Sequence, residues 1–286
     1  MSHVGDCASE GNEMPLKIVD SARVRYRTNP IIEVICQVKY PRVLELETRP
    51  PIAFQKQFSK DYPRLNVQTE PVLSVQFLKE GDGARPVPTA PRNVYHFISA
   101  DGAWKATLSS QFVALSCLRY ESWGDFERRV LPLIKFVEDE YGVAWIERVG
   151  LRYQDLIDRA ALGVSDAPWT ELLVPFVLGP FAAFAMFEGE RIDEADVKAF
   201  GSHAQFEIEG CSVLLQTSLV NVAEPPGKPA ILIDADYYVD HSNELLGCAE
   251  IKAQLQALHS NAGKLFRACI TPKLRDALGP VAVADK

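Results

Sequence analysis

Two stretches of two-residue alternation constrain this chain more than any other feature. In the first, Ile32, Val34, Cys36, Val38 and Tyr40 alternate with Glu33, Gln37 and Lys39; in the second, Val149, Leu151 and Tyr153 alternate with Arg148, Arg152 and Gln154. Such a pattern describes a strand with one face for a core and one for water. Antiparallel sheets accept a wet face, whereas parallel sheets are covered on both. The pattern therefore predicts an α+β fold built on antiparallel strands.

Each alternating strand leads into a similar series of elements. After the first, Pro50-Pro51 opens a helix with Ile52, Phe54 and Phe58 as its apolar stripe, and Tyr62-Pro63 ends it. Strands are expected at 72–78, 94–99, 104–108 and 112–119, with turns at the proline-rich 81–91 stretch and at Asp101-Gly102. A helix capped by Ser122 carries Phe126, Val130, Leu133, Ile134 and Val137 on one face, contains Pro132 and closes at Gly142. After the second alternating strand, 145–157, Pro168 opens a short apolar helix running through Val177. Strand candidates come next at 181–187, 204–209, 213–220 and 231–239, then a long helix over 244–270.

Both halves thus read β-α-β4-α, their first strands offset by about 115 residues (Glu33 to Arg148). Element order repeating at a fixed offset suggests duplication. Two such units side by side give one wide antiparallel sheet with helices on one face, a topology resembling TATA-binding-protein-like folds. The expected boundaries are a flexible leader at 1–28, repeats at 29–143 and 144–279, and a tail at 280–286.

Composition narrows the partners. With 30 basic and 38 acidic residues the formal charge is −8, which disfavours nucleic acid as the principal partner. No apolar run reaches the length of a membrane span and the first 13 residues lack a secretion-signal pattern, so a cytoplasmic protein is expected. The six cysteines are scattered without a C-x-x-C pair, and four (Cys36, Cys117, Cys211, Cys269) sit in apolar runs, as buried small hydrophobes do.

The wet face of the sheet is where binding is expected. Glu33, Gln37, Arg148, Arg152 and Gln154 are the candidate ligand-binding residues, joined by Lys39, Gln205, Glu207, Glu209, Gln216, Ser218, Tyr238 and Asp240. Glu33 and Arg152 are expected to pair if the two first strands meet. Asp234-x-Asp236 projects two carboxylates from one face of a strand, a hard-oxygen set suited to Mg2+ or Mn2+, with Glu207 or Glu209 available to complete it. P-loop, dinucleotide-binding, zinc-protease and hydrolase motifs are absent, and no catalytic residue emerges.

Several stretches carry a resemblance: NPIIEVICQV at 29–38, YESWGDF at 120–126, ERVGLRYQD at 147–155, LHSNAGKLF at 258–266 and ITPKLR at 270–275. Together they resemble the sporadically distributed conserved hypothetical proteins of bacteria, over residues 29 to 279. The resemblance implies an accessory or defence-related role and carries over no activity, cofactor or catalytic residue. The function expected from the residues is a non-enzymatic binding protein that offers its polar sheet face to another protein or a small ligand. The alternative is a metal-dependent enzyme acting on a phosphate-containing substrate.

Overall fold

The computed structural model describes residues 17–18, 22–77, 84–179, 181–182, 194–222 and 229–282 of the 286-residue chain. In chain order these form β1 (Val24–Tyr26), β2 (Ile31–Lys39), α1 (Glu45–Thr48), α2 (Ile52–Phe58), β3 (Arg64–Phe77), β4 (Ala84–Ile98), β5 (Trp104–Ser109), β6 (Phe112–Cys117) and α3 (Trp123–Tyr141). After these come β7 (Trp145–Ile157), α4 (Trp169–Leu172), α5 (Pro175–Leu178), β8 (Gly201–Ile208), β9 (Cys211–Asn221), β10 (Pro229–Leu245), α6 (Cys248–Cys269), α7 (Pro272–Leu278) and β11 (Pro280–Ala282).

Nine strands make one antiparallel sheet in the order β3-β4-β5-β6-β2-β7-β10-β9-β8. The two alternating strands meet at its middle, Cys36 opposite Leu151. One row of side chains crosses seven strands in register: Phe97, Ala106, Leu115, Cys36, Leu151, Tyr237 and Val213. All seven are buried, and they belong to one core with Phe54 and Phe58 of α2, Phe126 and Leu133 of α3, and Leu255 and Leu258 of α6. Helix α3 lies against β6, α6 lies against β7 and β10, and the two helices touch each other.

Local chemistry explains most boundaries. The Ser122 hydroxyl accepts from the Asp125 amide at 3.3 Å, and Gly142 closes α3 with φ +64°, a left-handed conformation that favours glycine. Pro132 lies deep inside α3 rather than in its first turns, and the helix continues through it. At the β8–β9 turn Glu209 (φ +44°) and Gly210 (φ +82°) are both left-handed, as a two-residue hairpin loop requires. Phe54 is the centre of an aromatic cluster, its ring centroid 4.6 Å from Phe58, 4.8 Å from Phe97 and 5.2 Å from Phe136.

Other expectations need correction. Ile52, assigned to the buried stripe of α2, is 57% exposed because the helix turns only Phe54 and Phe58 inward. The proline-rich stretch does not end its strands: β4 begins at Ala84 and pairs through it, Pro86 opposite Val75 and Pro88 opposite Leu73, with a register shift between Thr89 and Arg92. The short apolar helix divides into α4 and α5, since Val174 precedes Pro175 and is held extended (ψ 153°) while Leu173 bridges to Ile270. The long helix starts at Cys248, after β10 has absorbed Glu244 and Leu245. Phe181 and Ala182 are helical rather than strand; the rest of the 181–187 candidate lies outside the described residues. Three strands therefore come after β7 in the large sheet among the described residues, against the four expected. Order also extends past both expected ends: β1, inside the 1–28 leader, pairs with β11, inside the tail, Val24 opposite Ala282 and Tyr26 opposite Pro280.

Candidate functional site

The sheet face opposite the helices carries the side chains that alternate with the core row. Across the β2–β7–β10 junction the register places Gln154 between Glu33 and Asp234, Arg152 between Ile35 and Asp236, Gly150 between Gln37 and Tyr238, and Arg148 between Lys39 and Asp240. All five candidate ligand-binding residues lie in this patch, and the Asp234/Asp236 pair lies beside them on the next strand.

Two arginines organise the patch. Arg152 grips Asp234 as a fork, Nε donating to Oδ1 at 2.6 Å and Nη2 donating to Oδ2. Gln154 adds a donor to the same Oδ2 at 3.0 Å. Arg148 Nη2 donates to Asp236 Oδ2 at 2.8 Å, and its Nε lies 4.0 Å from Asp240 Oδ1. The Arg148 guanidinium also sits 3.6 Å above the centre of the Tyr238 ring. Gly150 stands directly opposite Tyr238, and a Cβ there would lie 3.7 Å from Arg148 Nε, from Asp236 Oδ1 and from the Gln37 carbonyl. Tyr238 is fixed at its far end, where its hydroxyl accepts from Gln205 Nε2 at 2.9 Å. A forked guanidinium–carboxylate pair with a stacked neighbour is a rigid arrangement for such long side chains.

The pairing differs from the sequence expectation at Arg152. Its carboxylate partner is Asp234 rather than Glu33: both acids stand opposite Gln154, one on each neighbouring strand and each diagonal to Arg152, and the fork closes on Asp234. Glu33 contributes only longer-range attraction to Arg152, whose pKa is raised mainly by the Asp234 hydrogen bond. Burial pushes the Asp236 carboxyl above its ordinary value, against the opposing pull of Arg148 and Arg152. Glu209 is not on this face at all; in the β8–β9 turn it accepts from Lys264 Nζ of α6 at 3.0 Å.

Both aspartates of the candidate metal pair are thus committed to guanidinium groups. A divalent ion at Asp234 would have to displace Arg152. Among the described residues no group of three or more His, Cys, Asp or Glu is placed to hold a metal ion.

A second cluster, on the helix face, was not assembled from the sequence. Tyr153 OH and His259 Nδ1 are 2.9 Å apart, and the His259 ring stacks on Trp123 at 4.5 Å and 5°. Burial, with smaller contributions from Arg23 and Arg267, lowers the His259 pKa to about 4. Asp155 lies on the same face of β7 as Tyr153 and is only 6% exposed; it makes no ion pair among the described residues, and burial raises its carboxyl to about 7. The alternation of 149–157 marks Asp155 as an inward position, which is the signal that identifies it.

Among the described residues no helix is long and apolar enough to cross a membrane. Neither a scan against protein-family models nor a search of curated proteins returns a match to this chain.

Proposed function

We propose that this protein is a non-enzymatic binding protein whose polar sheet face receives a partner. The observation that carries this reading is the Arg152–Asp234 fork beside Arg148 stacked on Tyr238. These groups are ordered before any partner arrives, so docking would freeze few additional rotamers. Arg152 spends Nε and Nη2 on Asp234 and remains 40% exposed, leaving its outer edge for an acceptor. The fixed charges nearby are mixed, with Arg148 and Arg152 against Asp234, Asp236 and Asp240. A mixed pattern selects a partner with a complementary mixed pattern, as a folded protein surface offers, and repels a uniform polyanion.

The strand order on either side of the β2–β7 junction supports reading the chain as two related β-α-β-sheet-α units in a TATA-binding-protein-like arrangement. Each central strand is followed by helix, by antiparallel strands that start at the sheet edge and return to the central strand, and by a long helix (α3 or α6). Membership of the sporadically distributed bacterial family, with an accessory or defence-related role, is proposed on the sequence blocks alone.

The test uses the full chain as bait alongside Arg148→Gln/Arg152→Gln. The expected result is a discrete protein partner retained by the wild type and lost by the double variant, with both proteins unfolding cooperatively. Equal retention by the two would refute a role for this face.

A further inference from the structure

The clasp that joins the chain's two ends carries a concentration of positive charge at odds with the net −8. On β1 and its flanks Arg23, Arg25 and Arg27 alternate with Val24 and Tyr26, and all three arginines are exposed while Val24 and Tyr26 are partly buried. Tyr26 packs edge-on against Phe266 of α6 at 5.8 Å, which fixes the strand so that the arginine row faces out. Two-residue steps along a strand set these charges about 6.7 Å apart, a separation of the same order as that of successive phosphates on an extended nucleic-acid strand.

The row is anchored without being neutralised. Arg25 Nη2 donates to the Glu121 carbonyl at 2.7 Å, a neutral acceptor, and the Arg27 side chain lies along Gly279. Among the described residues none of the three arginines makes an ion pair. Arg267 of α6 adds to the cluster: its Nη1 lies 3.1 Å from where a Cβ on Gly263 would stand, so the guanidinium folds back one turn along the helix towards His259. Gly263 gives the guanidinium that room inside an otherwise unbroken helix. Arg275 of α7 completes the patch, close enough to act electrostatically on Tyr26 as Arg267 does. Among the described residues, Asp276 stands beside Arg275 at 3.5 Å and Asp155 is buried beneath. Trp123 is already engaged, stacked on His259 at 4.5 Å and on Phe126 at 6.0 Å.

We propose that the arginine row Arg23–Arg25–Arg27, with Arg267 and Arg275, is a binding surface for the phosphodiester backbone of nucleic acid, engaged without base recognition. It is separate from the polar sheet face, and its charge is of one sign. Contacts of this kind carry affinity that falls steeply with salt and little sequence preference.

The experiment is fluorescence anisotropy of the full-length protein with a labelled 15-nucleotide single strand, two unrelated sequences, from 50 to 200 mM salt. The expected result is equal binding of both sequences, with log K falling linearly against log salt. Arg23→Gln/Arg25→Gln/Arg267→Gln should reduce the slope by about 2 and weaken binding at least tenfold at 50 mM salt. Arg23→Lys/Arg25→Lys should keep both, which separates charge from any loosening of the clasp, and Arg148→Gln/Arg152→Gln should bind as wild type. Three results would overturn the proposal: no anisotropy change at 50 mM salt, binding undiminished in the triple Gln variant, or competition by ATP or inorganic phosphate at equal phosphate concentration. The last would assign the patch to single phosphates.

Discussion

Asp155 offers a perturbation whose magnitude can be worked from its surroundings. Its carboxyl lies on the core side of β7, opposite Ile31 and Ile233, and is 6% exposed. Burial raises it to about 7, and the charge of Asp234 on the neighbouring strand pushes the same way. Because the folded state holds this proton more tightly than the unfolded chain, where a carboxyl titrates near 3.8, the stabilising contribution is fully present below about pH 4. It is lost as pH rises towards and through 7. Holding the group ionised costs about 4 kcal/mol, of which about 2.5 kcal/mol is incurred between pH 5 and pH 8. In Asp155→Asn that pH-dependent part disappears. The variant carries its own offset from burying an amide, but the offset does not vary with pH, and contributions from His259 and other groups cancel in the comparison. Urea unfolding followed by tryptophan fluorescence at pH 5, 6, 7 and 8 should show the variant gaining on the wild type by about 2.5 kcal/mol across the range. A difference that stays flat with pH would refute the placement of Asp155 as a buried, unpaired acid.

Other consequences are as direct. Arg152→Ala leaves Asp234, whose side chain is only 10% exposed, with Gln154 as its remaining donor, and should cost about 1–3 kcal/mol in denaturant unfolding. Arg42→Ala, which breaks the exposed pair with Glu47, should leave the unfolding midpoint essentially unchanged in the same assay. His259 should remain neutral in NMR titration down to about pH 5, because burial holds its pKa near 4; its contribution to stability is present above the unfolded value of 6.5 and declines as pH falls through 4. A midpoint near 6.5 would contradict its packing between Trp123 and Tyr153. Phe54→Ala removes the ring that touches Phe58, Phe97 and Phe136 and should cost about 3–5 kcal/mol in thermal or urea unfolding.

The parts of this fold that were legible in the sequence are those written in local pattern. β7 runs over 145–157 as the alternation of Val149, Leu151 and Tyr153 indicates, and α3 obeys Ser122 and Gly142 at its ends. The antiparallel sheet and the meeting of its wet faces rest on the same period of two. The elements that were not legible depend on contacts distant in sequence. The alternation of Arg23, Arg25 and Arg27 with Val24 and Tyr26 is too brief to mark a strand by itself, and pairing with 280–282 makes it one. The start of α7 did have a local signal, Thr271 before Pro272: the threonine hydroxyl accepts from the Leu274 amide at 3.4 Å and the proline occupies the first turn.

The candidate site divides along the same line. Which residues face water could be read from alternation, so Arg148, Arg152 and Gln154 were placed together. Which of them pair could not, because Arg152 has a carboxylate diagonal to it on each neighbouring strand, Glu33 and Asp234, and alternation does not choose between them. The aspartates of 234–236 have the spacing of a metal pair, but the neighbouring strand brings an arginine to each. Gly150, within Val-Gly-Leu-Arg-Tyr, stands opposite Tyr238, the ring on which Arg148 stacks.

The polar sheet face is tested most directly by site-specific photo-cross-linking. A photoreactive side chain at Gln216, exposed on this face beside Asp234, is compared in cells with one at the exposed Lys252 on the outer side of α6. A discrete cross-linked protein from position 216, absent from position 252 and lost when Arg152→Gln is added, is the predicted result. Cross-linking from 252 alone, or from 216 unaffected by Arg152→Gln, would contradict it.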